Sequence, residues 1–139
     1  MDLQELCNRA EITDLITGYT RPIDTGDRAR LVTVFTRDAR IDYTSWGGIA
    51  GGLATVRDWL AKVLPALPHR QHAICQIDFR LDGDRAEAIA YFLNPMTTLA
   101  EDGSEGLYRC GGLYHHKLIR TPDGWRSREL FEETVWTAA

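Results

Sequence analysis

The chain has little of several things that would have pointed elsewhere, and each absence narrows its class. It has three cysteines among 139 residues, Cys7, Cys75 and Cys110, widely spaced and without a C-x-x-C pair. An odd, scattered set argues against a disulfide framework and a zinc site, and it fits a reducing cytoplasm with three semi-buried thiols. No apolar run approaches the roughly 20 residues that a membrane-spanning helix needs. The N-terminal stretch MDLQELCNRAEITDL is acidic and amphipathic, unlike the basic start of a signal peptide. Lysines and arginines are scattered and the net charge is −4, so the electrostatic footprint of a nucleic-acid binder is missing. The glycines at 47, 48, 51 and 52 do not form a G-x-G-x-x-G phosphate loop, and there is no G-x-S-x-G elbow. Of the four histidines, His115 and His116 are adjacent and face opposite ways on a strand, and the other spacings match no H-E-x-x-H pattern. No metal site is expected.

What remains is an ordinary globular composition, 44% hydrophobic and 26% charged, with enough length for one domain over residues 1–139 and a core of its own. Leu3, Leu6, Ala10, Ile12, Leu15, Ile16 and Tyr19 recur at helical spacing and predict a long first helix, with Pro22 ending it or bending the chain just after it. Thr25-Gly26-Asp27 reads as a turn with a helix N-cap, followed by a short helix carrying Leu31, Val34 and Phe35. Arg40–Tyr43 alternates like a strand, the glycines after it mark a loop, and Leu53–Leu64 predicts a third helix that stops near Pro65 and Pro68. The second half is built of strands: His72–Leu81, a turn at Asp82-Gly83-Asp84, Ala86–Leu93, then Leu107–Ile119, a turn at Thr121–Gly124, and Trp125 to about Val135. Helices first and an antiparallel meander afterwards is an α+β order, with helices packed on one face of a curved sheet.

Several stretches together resemble a known family: Glu11–Tyr19 (EITDLITGY), Ile23–Asp27 (IDTGD), Phe35–Tyr43 (FTRDARIDY), Gln71-His72, Leu81–Asp84 and Arg120–Trp125. In this order and spacing they are similar to the SnoaL-like family of the nuclear-transport-factor-2-like superfamily, which includes ketosteroid isomerase, polyketide cyclases and scytalone dehydratase. The resemblance covers about Glu11 to Leu130. It implies a cone-shaped barrel, N-terminal helices on a strongly curved, mainly antiparallel sheet, enclosing a pocket for a small hydrophobic molecule. It also implies a homodimer or homotrimer. Asp24, Tyr43 and His72 resemble the active-site aspartate, tyrosine and histidine of scytalone dehydratase. That enzyme has a second tyrosine where this chain has Ile23, and a further histidine that falls near Thr98 here. Both departures argue against dehydration of the same substrate.

The residues carry their own chemistry. A carboxylate at Asp24, between two helices, can orient His72, hold it in one tautomer and stabilise its imidazolium. An ordinary turn or capping role is the alternative for Asp24, and a backbone-satisfied core position for His72. An imidazole near its usual pKa of roughly 6.5 can accept and return a proton at neutral pH. Alternation puts Ile74 and Gln76 on the face of His72, and His69 is expected to be exposed. Tyr43 shares a face with Ile41 and Ala39, so its hydroxyl is buried and needs a partner such as a ligand carbonyl or a water. Tyr19 lies on the apolar stripe of the first helix. On the long strand, Tyr108, Cys110, Gly112, Tyr114, His116 and Leu118 share one face, and His116 is expected to reach the pocket. Asn94 offers a donor and an acceptor near the end of its strand. Trp46 is placed to lid the pocket, while Trp59 and Trp125 read as core. The expected catalytic group is Asp24, His72 and Tyr43, and the expected substrate contacts are Tyr19, Trp46, Asn94, Cys110, Tyr114 and His116. The corresponding activity is a cofactor-independent lyase or isomerase using general acid–base catalysis on a small aromatic or polyketide-like molecule. The alternative is a binding domain with the same pocket and no turnover.

Overall fold

The computed structural model describes residues 1–139. Helix α1 spans Leu3–Thr25, capped by Asp2, whose side chain accepts from the backbone N–H of Glu5, and stopped by Gly26 at φ 78°. That left-handed conformation is open to glycine without a Cβ penalty, so the chain can turn sharply at this point. Ile12, Ile16, Tyr19 and Ile23 form one buried stripe along α1 at helical spacing. The helix does not end at Pro22, which lies inside it; the chain bends just after the proline instead, at Gly26. Pro22 falls in the last turn, so its missing N–H removes only one late hydrogen bond, and the buried stripe carries the helix past it. The final turn therefore presents Asp24 directly after the buried Ile23.

Helix α2, Arg28–Val32, is a short turn capped by the Asp27 side chain. It ends before Val34 and Phe35, and strand β1 runs from Phe35 to Asp42, longer than the four residues whose alternation was clear. A short 3-10 turn at Thr44–Trp46 and strand β2, Ala50–Gly52, lead into α3, Leu53–Val63. Strands β3 (Ala73–Asp82), β4 (Arg85–Leu99), β5 (Glu105–Thr121) and β6 (Gly124–Ala138) complete the chain. The sheet has the order β2-β1-β6-β5-β4-β3, with β1 and β6 parallel and the other neighbours antiparallel. It is strongly curved, and it is not closed, since β2 and β3 remain edges.

The inward face of β4 explains where the pocket sits. Ala86, Ala88 and Ala90 point inward and are 6% exposed or less, and the large side chains of the same core, Ile12, Ile16 and Tyr19, fill the space they leave. Beyond them the inward residues become Phe92, Asn94 and Met96, larger and partly polar. Strand β4 runs on through Pro95, past the end predicted for it, because the Pro95 carbonyl accepts from Gln71 while Arg70 bridges to Met96. The residues just before β3 are thereby drawn across the wide end of the sheet, toward the end of α1.

Candidate functional site

Asp24 and His72 meet at this wide end. The Asp24 carboxylate holds the histidine twice. Its Oδ2 accepts from the His72 backbone N–H at 2.9 Å, and its Oδ1 lies 2.6 Å from Nδ1. A carboxylate only accepts, so neutral His72 carries its proton on Nδ1 and keeps a lone pair on Nε2. Two donors flank Nε2: the Tyr114 hydroxyl at 2.9 Å and the Asn94 Nδ2 at 3.1 Å. The His72 side chain is 3% exposed and that of Asp24 15%, so the pair lies in a largely water-excluded setting. When His72 takes up a proton, the Tyr114 hydroxyl can turn from donating to accepting, which lets the site serve both protonation states.

Asp24 is held from behind by Arg70. The guanidinium donates to the carbonyls of Ile23 (3.0 Å), Asp24 (3.2 Å), Leu64 (3.1 Å) and Leu67 (2.6 Å). Two of these are last-turn carbonyls of α1, which have no partner inside the helix. The last turn of α1 has no basic residue of its own, so Arg70 supplies that cap from a distant segment. Burial pulls the Arg70 guanidinium below its ordinary pKa, and the charge of Asp24 works in the opposite direction.

A cavity of about 50 Å³ opens beside Nε2, room for a few waters before any side chain moves. Its walls are mostly apolar, with Phe92, Met96 and Trp59 among them. Tyr19 and Tyr43 join hydroxyls at 2.6 Å on one side. Where Tyr19 donates to Tyr43, the Tyr43 hydroxyl keeps a proton for a ligand oxygen; in the opposite sense the Tyr19 proton can turn to Tyr114. Burial pushes the phenols of Tyr19, Tyr43 and Tyr114 above their ordinary value, so all three act as hydrogen-bonding alcohols. Phe92 stacks on Tyr114 with ring centroids 4.1 Å apart, which fixes the plane of the ring beside His72. Asn94 Oδ1 is buried without a partner in the protein, an acceptor available to a ligand. The Cys110 thiol, 3% exposed, is pushed up to about 11 by burial and has the Asn94 carbonyl, at 3.9 Å, as its hydrogen-bond partner, which makes it an inert wall.

Of the residues singled out in the sequence, Tyr19, Tyr43, Trp46, His72, Asn94, Cys110 and Tyr114 line this cavity, and Asp24 stands directly behind His72. Trp46 packs edge-on against Trp59 at 6.3 Å, and Trp59 lines the cavity, where a plain core position was expected. His116 is the clear correction. It faces inward as alternation predicts, but it lies deeper in the cone, opposite Ala88, and does not line the cavity. Its Nδ1 bonds Ser127 Oγ at 2.9 Å, its Nε2 has no partner, and burial lowers its pKa to about 3. Gln76 also departs from its expected face, because a register shift between Ile74 and Ile77 turns it to solvent.

Two polar wall residues, Arg70 and Glu132, stand outside those that alternation and the family resemblance pick out. Glu132 is 5% exposed and pairs across the sheet with Tyr114. Alternation counted from Trp125 would turn it outward. A bulge resets the count: Leu118 pairs with Ser127 but Lys117 with Glu129, so Leu130 and Glu132 point inward. Ser127 Oγ stabilises the bulge by donating to the Glu129 carbonyl at 3.1 Å while bonded to His116. Burial raises the Glu132 carboxyl above its usual value, and a hydrogen bond from Thr134 partly opposes this.

A SnoaL-like domain profile matches residues 4–130. The uncharacterized protein Rv2910c of Mycobacterium tuberculosis is 38% identical over 126 residues, covering 91% of this chain and 84% of that protein. Among solved structures, Kfla4162 from Kribbella flavida superposes with a TM-score of 0.85 at 26% identity, over 96% of this chain and 95% of that one. The hexachlorocyclohexane dehydrochlorinase LinA type 2 superposes at 0.86 with 20% identity, over 99% and 92%, a likeness of fold alone. With nine-tenths of its length matched and its helices and sheet in the same arrangement, the chain belongs to the SnoaL-like domain family.

Proposed function

We propose that the chain is a lyase or isomerase working by general acid–base catalysis, without a cofactor, on a small, largely hydrophobic and aromatic or polyketide-like molecule. The observation that carries this is the double grip of Asp24 on His72, which leaves the Nε2 lone pair beside an apolar cavity. His72 takes the proton as base and later returns it. Asp24 sets the tautomer and balances the imidazolium charge. The free hydroxyl of the Tyr19–Tyr43 pair holds the oxygen of a substrate carbonyl as charge develops on it. A dehydrochlorinase of the same fold is in keeping with proton removal coupled to loss of a leaving group.

An imidazole cannot remove an unactivated C–H proton, and with the Tyr19–Tyr43 hydroxyls placed for a carbonyl oxygen, the proton to test is one acidified by a neighbouring carbonyl. Exchange of that proton for solvent deuterium isolates the first step. Propiophenone incubated with the protein in D₂O and followed by NMR should lose its α-proton signal. His72→Ala should slow that loss by about 10²–10⁴-fold. Retention of the signal by the parent protein, with propiophenone shown to bind, would reject the reading.

A second reading, a binding domain of the same shape without turnover, is favoured by the two protein donors already on Nε2. It predicts binding without exchange. As part of the same proposal, the protein is cytoplasmic, where three free thiols are stable, and it is a homodimer or homotrimer. No helix is long and apolar enough to cross a membrane. Tyr91, Leu93, Phe131 and Trp136, each more than 40% exposed on the outer face of β4 and β6, supply an apolar surface for self-association.

A further inference from the structure

The wall facing the cavity from β6 carries a group that the base mechanism does not use. Glu132 is the one carboxyl among the cavity-lining residues and is 5% exposed. Thr134 Oγ1 donates to its Oε1 at 2.5 Å, while its second oxygen makes no hydrogen bond with the protein. The groups close to it from neighbouring elements are Tyr19 on α1, Tyr43 after β1, and Cys110 and Tyr114 on β5. None is a cation, so nothing compensates a carboxylate here. Arg70 also lines the cavity, but four of its five N–H groups are given to backbone carbonyls and its charge lies beside that of Asp24. The one cation of the cavity wall is thus committed to the end of α1 and to Asp24, which disfavours an anionic substrate.

We propose that Glu132 is the acid that works opposite His72, delivering its proton to a departing hydroxyl group, and that the substrate is an uncharged β-hydroxy carbonyl compound. This rests on the reading of His72 as base. In the step, Nε2 takes the proton α to the carbonyl, and the electron pair of that C–H bond becomes the C=C bond. The C–O bond at the β carbon breaks, and the hydroxyl leaves as water with the proton from Glu132. The enzyme is left with an imidazolium at His72 and a carboxylate at Glu132; transfer of one proton between them through the released water resets both.

The division of labour follows from the chemistry of the two donor types. The phenols of Tyr19 and Tyr43 are pushed up by burial, so they suit an oxygen that gathers charge and keeps it. A leaving hydroxide needs a proton transferred outright, which calls for an acid that is protonated near neutral pH yet readily ionised. Burial moves the Glu132 carboxyl in that direction.

Two reactions measured side by side test this. The parent protein and Glu132→Gln are given propiophenone, for α-proton exchange by NMR, and β-hydroxypropiophenone, for water loss by the absorbance of the enone. Glutamine keeps the shape and the Thr134 contact but has no acid proton. Glu132→Gln should lower water loss by about 10²–10⁴-fold and exchange by less than about tenfold. Its water-loss rate should also lack the decline toward high pH that Glu132 ionisation gives the parent. A raised Tm for Glu132→Gln would show that the fold is intact. Equal effects on the two reactions, or an unchanged pH profile, would overturn the role of Glu132 and leave His72 as base. A parent protein that binds both ketones and exchanges neither would overturn both.

Discussion

The protein contains two histidines of nearly equal burial in very different company. His72, at the wide end of the cone, has a carboxylate on Nδ1 and two donors at Nε2, beside open space. His116, deeper in, has a serine on Nδ1, nothing on Nε2, and its ring edge-on to Tyr19 at 5.6 Å. Burial favours the neutral ring at His116. The difference is that a protonated His72 meets a counter-charge 2.6 Å away and a protonated His116 meets none. One ring is equipped to gain and lose a proton; the other is a neutral spacer that ties β5 to the β6 bulge.

Replacing the counter-charge should break the contrast most severely. Two N–H groups of His72 point at Asp24, and an asparagine offers only one acceptor oxygen for them. In Asp24→Asn the amide NH₂ donates to Nδ1, which forces the ring proton onto Nε2 and removes the lone pair from the cavity. The rate of α-proton exchange should fall by about 10²–10⁴-fold with the fold retained, since tautomer control is what an orienting aspartate supplies. Exchange at the parent rate in Asp24→Asn would mean that the carboxylate is only a helix-end contact.

The two histidines should also separate in acid. The folded pKa of His116 is depressed to about 3 from an ordinary 6.5, so the unfolded chain binds its proton first as pH falls. The stability that His116 contributes is complete above pH 6.5 and is lost as pH drops from there toward about 3. Down to pH 4 the loss amounts to about 3 kcal/mol. Thermal unfolding of the parent and of His116→Gln between pH 7.5 and 4 should give curves that converge as the pH falls. Parallel curves would show that His116 is not the group being protonated.

How far these positions were legible in the sequence follows from the same geometry. Alternation correctly put Tyr43, Cys110, Tyr114 and His116 on inward faces, because strand period is local. It gave the face but not the depth, and depth is what separates Tyr114 at the cavity from His116 in the core. Glu132 was hidden by a one-residue bulge at Arg128–Glu129, which inverts the positions after it as far as the second register shift beyond Thr134 and leaves no strong mark of its own in composition. Arg70 was hidden because it sits in a proline-flanked segment with no period to read, and two of its four carbonyl partners, Ile23 and Asp24, lie more than 40 residues away in the chain. Asp24 and His72 were read through a family pattern of residue types in order. Their contact, 48 residues apart in sequence, is a product of the tertiary fold.

The smallest effect concerns the supports of the two rings. Arg70 holds the end of α1 with a planar fork reaching four carbonyls, whereas lysine offers one compact ammonium that cannot span them. Arg70→Lys should lower stability by about 1–2 kcal/mol, as expected for partial loss of charged hydrogen bonds to backbone. It should also slow α-proton exchange per folded molecule, because the freed last turn lets Asp24 drift from Nδ1 and small misplacements of acid–base groups are costly. His116→Gln, at the other ring, should lower stability at neutral pH and leave that exchange nearly unaffected. If Arg70→Lys lost stability with no loss of rate, Arg70 would be a structural clamp like Ser127, and the placement of Asp24 would have to come from the rigidity of α1 itself.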